Sequence, residues 1–225
     1  MKRWLSDRQI HELKNIDTPT VSNAIEQFHL RPLNEGFMGM EIRCFFPELG
    51  VMVGHALTLT VDTTTIEKQE KLDLPEMLQA IKNVPGPVVL VIKTIGLRPT
   101  HSCVFGDLMA TTARQMGAVG LVTDGGVRDL KNIRKIGFHI FASGAVPSHG
   151  TFSIKEINVP VNISGVQIYP GDLIHGDENG VIKIPWDCVD KLPEVAQELL
   201  AREKSIVDFV NSPDFSIEKL KGWFH

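Results

Sequence analysis

Two carboxylates and one arginine flank a short segment with the pattern of a helix followed by a strand. Asp107 opens a run whose apolar residues recur at helical spacing, and Gly117 follows that run where a helix cap is expected. Residues 119–123 form a brief apolar run before a glycine pair, typical of a buried parallel strand, and Arg128 and Asp129 follow in a predicted loop. Ligands of open α/β sheets bind at the carboxyl ends of strands, so we expect these three charged side chains to share one cleft.

The three side chains suit the binding of an α-keto acid on a divalent ion. Asp129 offers the hard oxygen that Mg²⁺ or Mn²⁺ prefers, and Arg128 can hold a carboxylate through two parallel hydrogen bonds. The amides of Leu108 and Met109, in the first turn of the predicted helix, add donors for the same anion. On residue types alone a simpler alternative stays open: a surface ion pair between Arg128 and Asp129, and an Asp107 that only caps a helix.

Three separated motifs in order carry a family resemblance: Gly106-Asp107, the Gly-Gly-Val-Arg-Asp run at 125–129, and residues 170–181. Together they resemble the family of the regulator of ribonuclease E activity A and 4-hydroxy-4-methyl-2-oxoglutarate aldolase, and the similarity runs from about Thr18 to the C-terminal helix. The resemblance implies an α/β fold of the β/β/α swivelling type, with an antiparallel β section and a C-terminal helix. It also implies a homotrimer or a dimer of trimers.

The resemblance also implies roles for residues of the first two motifs. In aldolases of this family, the residue matching Asp129 ligates the divalent metal, the one matching Arg128 binds the pyruvate moiety, and the one matching Asp107 holds a metal-bound water. Gly106 belongs to the same motif and is a candidate for substrate binding. In those aldolases a glutamate from the C-terminal helix of an adjacent subunit contacts the water network, and Glu203 is the candidate here.

Two histidines near the motifs are further candidates. Many aldolases of the family carry Arg-Gly where this chain has Ser148-His149, at a place expected to face the distal end of the substrate. The difference counts against the characteristic tricarboxylate substrate and makes His149 a candidate substrate contact. His101, in the predicted loop before Asp107, is a ligand, a base or a simple loop donor on residue type alone.

The leading hypothesis is a metal-dependent lyase that breaks a C–C bond in a pyruvate-containing keto acid. Retro-aldol cleavage of 4-hydroxy-4-methyl-2-oxoglutarate and decarboxylation of oxaloacetate both leave pyruvate enolate, which a divalent ion and Arg128 stabilise. The alternatives are a non-catalytic regulator that binds a protein partner, another metal-dependent enzyme at the same site, and phosphotransfer through His101 or His149, because the fold resembles swivelling phosphohistidine domains. A methyltransferase is disfavoured because no glycine-rich loop follows the first predicted strand.

Composition and charge limit the possible classes of protein and of binding partner. The chain has 225 residues, 43% hydrophobic and 22% charged, which is ordinary for a globular protein. A net charge of −4 and the lack of a Lys/Arg block argue against nucleic acid as a partner. With no signal-peptide pattern and no apolar run approaching ~20 residues, we expect no membrane partner and a cytoplasmic location. Cys44, Cys103 and Cys188 are odd in number and far apart, so we expect free thiols.

The order of predicted elements indicates one domain over residues 1–225. Two N-terminal helices lie within 6–28, a core spans 50–186, and a helix with a narrow apolar stripe, suited to packing on a neighbour, covers about 187–210. In the core, strands are predicted at 50–61, 88–92, 119–123 and 140–142, helices at 74–81, 107–116 and 130–136, and a loop at Thr63-Thr64-Thr65.

From Thr151 to Ile184 the helical periods stop, and short β segments with turns rich in Gly, Pro and Asn predict antiparallel ribbons. Asp172 and Asp177 stand in these tight turns. We expect their side chains to bond local backbone rather than a metal.

Overall fold

The computed structural model describes residues 3–63, 74–101 and 103–221. Within that part of the chain, a nine-stranded sheet forms the centre and a two-stranded ribbon packs beside it. The strands are β1 (Arg43–Cys44), β2 (Met52–Asp62), β3 (Val88–Thr94), β4 (Cys103–Phe105), β5 (Ala118–Val127), β6 (His139–Ala145), β7 (Ser153–Ile157), β8 (Val161–Ile163), β9 (Val166–Ile168), β10 (Leu173–Asp177) and β11 (Gly180–Ile184). The helices are α1 (Asp7–Lys14), α2 (Thr18–Glu26), α3 (Leu74–Lys82), α4 (Asp107–Gln115), α5 (Leu130–Ile136), α6 (Leu192–Val210) and α7 (Ile217–Lys221). None of these described helices combines the length and the apolar character that crossing a bilayer requires.

Four parallel strands make up the middle of the sheet. The order is β1-β6-β5-β3-β2-β10-β11, with β4 paired to β5 and β7 paired to β2. The neighbours β6, β5, β3 and β2 are parallel, whereas β7, β10 and β11 run antiparallel to their partners. Parallel strands are buried on both faces, which explains the nearly uninterrupted apolar sequence of β3. The connections that follow β3, β5 and β6 therefore emerge at one edge of the sheet.

Three groups of buried side chains hold the layers together. Helices α3, α4 and α5 pack on one face of the sheet, where Leu57, Leu90 and Leu121 are fully buried. The β8–β9 ribbon covers the other face and buries Ile163 and Ile168 there. A third cluster joins α1, α2 and α6 to β10 and β11. The first group is the one that fixes the loops preceding α4 and α5.

The predicted α/β fold, with its antiparallel section and C-terminal helix, is confirmed. The strand predicted at 88–92 lies within β3, the helix predicted at 130–136 is α5, and the strand predicted at 50–61 is β2, in the interior of the sheet. After Thr151 the described strand pairings are antiparallel, as predicted. The sequence did not indicate that β7, β10 and β11 join the main sheet while β8 and β9 form a separate ribbon.

The strand predicted at 119–123 is longer than expected, and the loop predicted to hold Arg128 and Asp129 begins only after Val127. Strand β5 continues through Gly125 and Gly126 to Val127, with an irregularity in its register between Thr123 and Gly126. A Cβ at Gly125 would stand 2.7 Å from Thr94 Cγ2, so this glycine allows two strands to approach more closely than a side chain permits. Gly125 therefore serves strand packing.

Two smaller corrections concern β4 and α6. The segment before Asp107, predicted as a loop, contains β4, whose three residues are too few for an alternating pattern to show. The C-terminal helix starts at Leu192 and not near 187, because residues 185–191 form hydrogen-bonded turns and Pro193 occupies the first helical turn. The loop predicted at Thr63-Thr64-Thr65 lies, beyond Thr63, outside the described residues.

The motif at residues 170–181 forms the β10–β11 hairpin, which anchors the N-terminal helices. His175 Nε2 lies 3.1 Å from Leu13 O, which can only accept, so Nε2 carries a proton and Nδ1 accepts from Thr18 Oγ1 at 2.9 Å. Asp177 accepts from Thr18 N at 2.7 Å. Burial lowers the pKa of His175, so the ring stays neutral at pH 7 and keeps both bonds.

The two aspartates of this hairpin bond local backbone, as predicted. Asp172 Oδ2 accepts from Tyr169 N at 2.9 Å, and Asp177 Oδ1 accepts from Asn179 N at 2.8 Å. Asp172 also forms an ion pair with Lys183 at 3.2 Å. The third motif of the family resemblance is therefore a folding element in this chain, and the candidate chemical groups lie in the first two motifs.

Candidate active site

The loops after β4 and β5 meet at the carboxyl edge of the sheet. Arg128 N donates to Phe105 O at 3.0 Å, so the two strands stay paired up to the loops that follow them. The loops surround a cavity of about 120 Å³. The site residues predicted from the sequence line it, apart from Glu203: they are Gly106, Asp107, Leu108, Met109, Arg128, Asp129 and His149. The expected convergence of the two motifs therefore occurs in the structure.

Asp129 has an unusual backbone conformation at the start of α5. Its φ of 59° and ψ of 31° lie in the left-handed region, where a residue other than glycine carries about 1–2 kcal/mol of strain. Its carbonyl accepts from Asn132 N and Ile133 N, but its carboxylate does not cap the helix. Instead Oδ2 lies 3.3 Å from Arg128 Nε and accepts from Asp107 N at 3.4 Å. A strained residue whose carboxylate is not committed to the helix is a candidate ligand-binding residue.

Gly106 is required by the closeness of the two loops. A Cβ at this position would stand 2.8 Å from Asp129 Oδ2 and 3.4 Å from Arg128 Nε. The first of these separations is shorter than real Cβ contacts, so a side chain here would displace the carboxylate. Glycine thus lets the backbone at the start of α4 approach the charged pair directly.

Asn132 orients Asp107, and sequence reasoning missed it. Its Nδ2 donates to Asp107 Oδ2 at 2.7 Å, and it is the one described residue that hydrogen-bonds this carboxylate. The alternative in which Asp107 only caps a helix is wrong, because Gly106 is the N-cap residue and Asp107 is already helical. The available signal was the position of Asn132 in the first turn after Asp129, on the helix face that meets the start of α4.

The start of α4 offers backbone donors to the same cavity. Gly106 has no side chain to bond the first-turn amides; the Asp129 carboxylate accepts from the amide of Asp107, and no described side chain bonds those of Leu108 and Met109. The N–H groups of Leu108 and Met109 are therefore open to a ligand beside the Arg128 side chain, which is 34% exposed. One guanidinium and two amides suit a carboxylate or a similar small anion.

Cys103 lines the cavity as a neutral thiol. Cys44, Cys103 and Cys188 are free, as predicted. Burial raises the pKa of Cys103, and its Sγ donates to Phe105 O at 3.4 Å. At neutral pH the group is therefore neither a nucleophile nor a thiolate ligand that competes with the carboxylates for a metal.

The two candidate histidines occupy different places. His149 is exposed and lines the cavity, and its Nδ1 lies 3.0 Å from Gly150 O. Because that carbonyl only accepts, Nδ1 carries a proton and donates it. His101 is exposed and does not line the cavity; its Nδ1 lies 3.3 Å from Thr100 Oγ1. The geometry therefore brings His149 to the site and leaves His101 outside it.

Glu203 lies outside this cavity in its own chain. It is exposed on α6, beyond Ala196, the last buried residue of that helix, and α6 packs against α2. The role expected for Glu203 is in an adjacent subunit's site, so it stays a prediction.

The donor set fits one directly bound divalent ion. In the described ranges, no group of three or more His, Cys, Asp or Glu side chains gathers into a metal cage. Asp129 offers a carboxylate in the cavity and Asp107 a second one nearby, which matches the habit of Mg²⁺ to take one or two carboxylates and keep several waters. The assignment of Mg²⁺ or Mn²⁺ to Asp129 stays a prediction.

Comparison with known proteins decides the family. The model of the RraA-like family, described as Aldolase/RraA, matches residues 8–183. The chain belongs to the RraA-like family. A protein of Halalkalibacterium halodurans, whose name proposes a 4-hydroxy-4-methyl-2-oxoglutarate aldolase, is 28% identical over 221 residues, 94% of each chain. An uncharacterized protein of Methanocaldococcus jannaschii is 28% identical over 200 residues, 88% of this chain and 87% of that protein.

Two solved structures share the RraA-like fold. Streptomyces coelicolor RraAS2, described as an unusual member of the RNase ES inhibitor RraA protein family, superimposes with a TM-score of 0.69 at 19% identity, covering 90% of this chain and 96% of that one. An uncharacterized protein of Pseudomonas syringae pv. tomato gives a TM-score of 0.77 at 22% identity, with 99% and 96% covered. These likenesses confirm the predicted family fold, and the roles of individual residues stay predictions.

The contact between Gly106 and Asp129 generates a binding prediction. In Gly106→Ala, the added Cβ displaces the Asp129 carboxylate, so Mn²⁺ affinity is expected to fall at least about tenfold, or about 1.4 kcal/mol. Electron paramagnetic resonance of free Mn²⁺ measures the change. Gly144→Ala is the matched control, because an added Cβ there meets nothing within 4 Å. Equal Mn²⁺ affinity in Gly106→Ala and the wild type would contradict the placement of the ion at Asp129.

Proposed function

We propose that this RraA-like protein is a divalent-metal-dependent lyase that cleaves a C–C bond in a pyruvate-containing keto acid. The reaction is retro-aldol cleavage of the 4-hydroxy-4-methyl-2-oxoglutarate type, decarboxylation of oxaloacetate, or both. The observation that carries the proposal is the presence of Arg128, Asp129 and the uncapped start of α4 around one cavity. The named aldolase relative supports the same class of reaction.

Substrate binding begins with the carboxylate of the keto acid. The guanidinium of Arg128 and the amides of Leu108 and Met109 face the same cavity and hold that carboxylate. This arrangement fixes the orientation of the adjacent keto group toward Asp129. Because Arg128 remains beside the reacting end, its positive charge also opposes the negative charge that develops as the C–C bond breaks.

Asp129 is the residue proposed to hold Mg²⁺ or Mn²⁺. When bound, such an ion supplies Lewis acidity to the keto oxygen. In the described part of the chain no lysine lines the cavity, so the residues present do not offer the amine that Schiff-base chemistry needs. Lys93, on the adjacent strand β3, is paired with Asp124.

Asp107 is proposed to position water and to move protons. Asn132 holds Oδ2, which leaves Oδ1 to accept from a water in the cavity. After bond cleavage the three-carbon product needs a proton on its former nucleophilic carbon, and water held by Asp107 is the proposed donor. Glu203 of a neighbouring subunit would complete this water network.

Substrate size follows from the cavity. A volume of about 120 Å³ has room for a few water molecules, which suits a three-carbon keto-acid end rather than a whole larger substrate. The remainder of the substrate then extends past His149 at the cavity wall. Because the protonated Nδ1 of His149 is engaged by Gly150 O, Nε2 is the ring nitrogen left to contact the distal part of the substrate.

A non-catalytic regulator that binds a protein partner is the second candidate. The structural likeness to RraAS2, which is described within a family of RNase ES inhibitors, favours it. A protein of that kind needs neither Arg128 nor Asp129 for chemistry. Pyruvate release measured with and without these side chains therefore separates the two candidates. A protein that catalyses another metal-dependent reaction at Asp129 would bind the metal without releasing pyruvate.

The assembly is proposed to be a homotrimer or a dimer of trimers. On α6, Leu200, Val207 and Val210 are at least 40% exposed, which provides an apolar stripe for a neighbouring copy and would bring Glu203 to that copy's site. Light scattering of the purified chain is expected to give three or six times the 25.0 kDa chain mass. A monodisperse monomer at micromolar concentration would exclude a cross-subunit role for Glu203.

Arg128 provides the test of the lyase. Losing a charge-assisted hydrogen bond typically costs about 1.5–3 kcal/mol, so Arg128→Ala is expected to lower kcat/KM for oxaloacetate by about 10- to 150-fold, with a lower kcat as well as a higher KM. Arg128→Lys should recover part of the loss, because an ammonium keeps the charge but lacks the planar fork. The rate of pyruvate release measures both effects. Removal of the divalent metal with a chelator should abolish pyruvate release by the wild type.

Two controls separate enzymatic release of pyruvate from the reaction that free Mg²⁺ catalyses. Arg43→Ala removes an exposed arginine that does not line the cavity and is expected to leave pyruvate release unchanged. Free Mg²⁺ decarboxylates oxaloacetate slowly, so the wild type is compared with Mg²⁺ alone and also with 4-hydroxy-4-methyl-2-oxoglutarate as substrate. If the wild type releases pyruvate from neither substrate faster than Mg²⁺ alone does, the pyruvate-lyase proposal is wrong.

A further inference from the structure

A second cavity, of about 350 Å³, lies at the edge of the sheet opposite the candidate active site. It is formed where β5 and β6 begin, and its side chains include Lys14, Arg114 and His139. The rest of its lining comes from Gly117, Ala118, Val119 and Gly137. No carboxylate lines it, so the described walls carry positive charge without a matching negative charge.

The two permanent cations come from the ends of helices. Lys14 is the last residue of α1, and Arg114 lies in the last turn of α4. Helix C-termini favour cations, which explains how both are tolerated side by side. Among the described residues, neither side chain forms an ion pair with a carboxylate. Their charges are therefore available to a ligand.

Arg114 is held in place by the turn that ends α5. Its Nη1 donates to Gly137 O, and Gly137 has a φ of 69°. A Cβ at Gly137 would stand 3.3 Å from the same Nη1. One guanidinium nitrogen of Arg114 is thus held by a backbone carbonyl, and the other N–H groups can donate to a ligand in the cavity.

His139 adds a buried ring nitrogen without a partner. Its Nδ1 is shielded from solvent and forms no hydrogen bond with the described residues. Burial lowers the pKa of His139 to about 4, and the charges of Lys14 and Arg114 act in the same direction. At neutral pH the ring is therefore neutral. An anion beside it would offset the two cations and favour the protonated ring.

We propose that this cavity binds a phosphate-bearing small molecule through Arg114 and Lys14, beside the ring of His139. Phosphate carries up to two negative charges on several acceptor oxygens, which matches the two cations, whereas a single carboxylate would leave one cation without a partner. The cavity is also larger than the candidate active site, so it has room for an organic group attached to the phosphate. The proposal does not depend on the lyase reaction.

Inorganic phosphate and pyrophosphate are the probes for the full-length chain. NMR of the His139 ring is expected to show saturable shifts with millimolar phosphate and a raised pKa, because the bound anion stabilises the imidazolium. Lys14→Gln and Arg114→Gln should each weaken phosphate binding about tenfold. Lys82→Gln is the matched control, since Lys82 also ends a helix but does not line this cavity. Circular dichroism verifies that each variant is folded.

Three outcomes would overturn the proposal. The first is a His139 signal that does not respond to either probe in the wild type, a result that requires no variant to fold. The second is binding that Lys14→Gln, Arg114→Gln and Lys82→Gln weaken equally, which would mean nonspecific charge screening. The third is a His139 pKa that changes with protein concentration and not with phosphate, which would mean that a second copy of the chain closes the cavity.

Discussion

The approach of two loops at the carboxyl edge of the sheet is the constraint on which the candidate site depends. A Cβ at Gly106 would come within 2.8 Å of Asp129 Oδ2, the same oxygen that lies 3.3 Å from Arg128 Nε. The loops come this close because β4 pairs with the end of β5 and Arg128 N bonds Phe105 O. The left-handed backbone at Asp129 costs about 1–2 kcal/mol, and the packing of α5 on the sheet holds it in place.

That constraint separates the parts of the site that the sequence predicts from those it does not. The convergence of Asp107, Arg128 and Asp129 was predictable, because parallel strands end at one edge and the glycine-rich motif precedes the charged pair. The contact between Asn132 and Asp107 was not predictable, because the two residues are 25 positions apart and no spacing rule connects them. This contact exists only once α4 and α5 pack side by side. The full length of β5 was not predictable, since the sequence does not distinguish a glycine that allows close strand packing, such as Gly125, from one that ends a strand.

The fold by itself does not choose between catalysis and regulation. A protein whose name proposes an aldolase and a protein described as an RNase inhibitor family member both resemble this chain, and the third motif, in the β10–β11 hairpin, anchors the N-terminal helices. The choice rests on features that a purely structural protein would not need. They are the strained Asp129, the partly exposed Arg128 and the uncapped start of α4, which surround one small cavity.

The most direct test is a crystal structure of the protein with Mg²⁺ and oxalate, a stable analogue of the pyruvate enolate. We expect one ion on the Asp129 carboxylate, with oxalate bridging that ion and the Arg128 guanidinium, and with a water between the ion and Asp107. A fully occupied oxalate elsewhere, or a cavity at Asp129 that stays free of both ion and oxalate at millimolar concentrations, would contradict the proposed metal and substrate site.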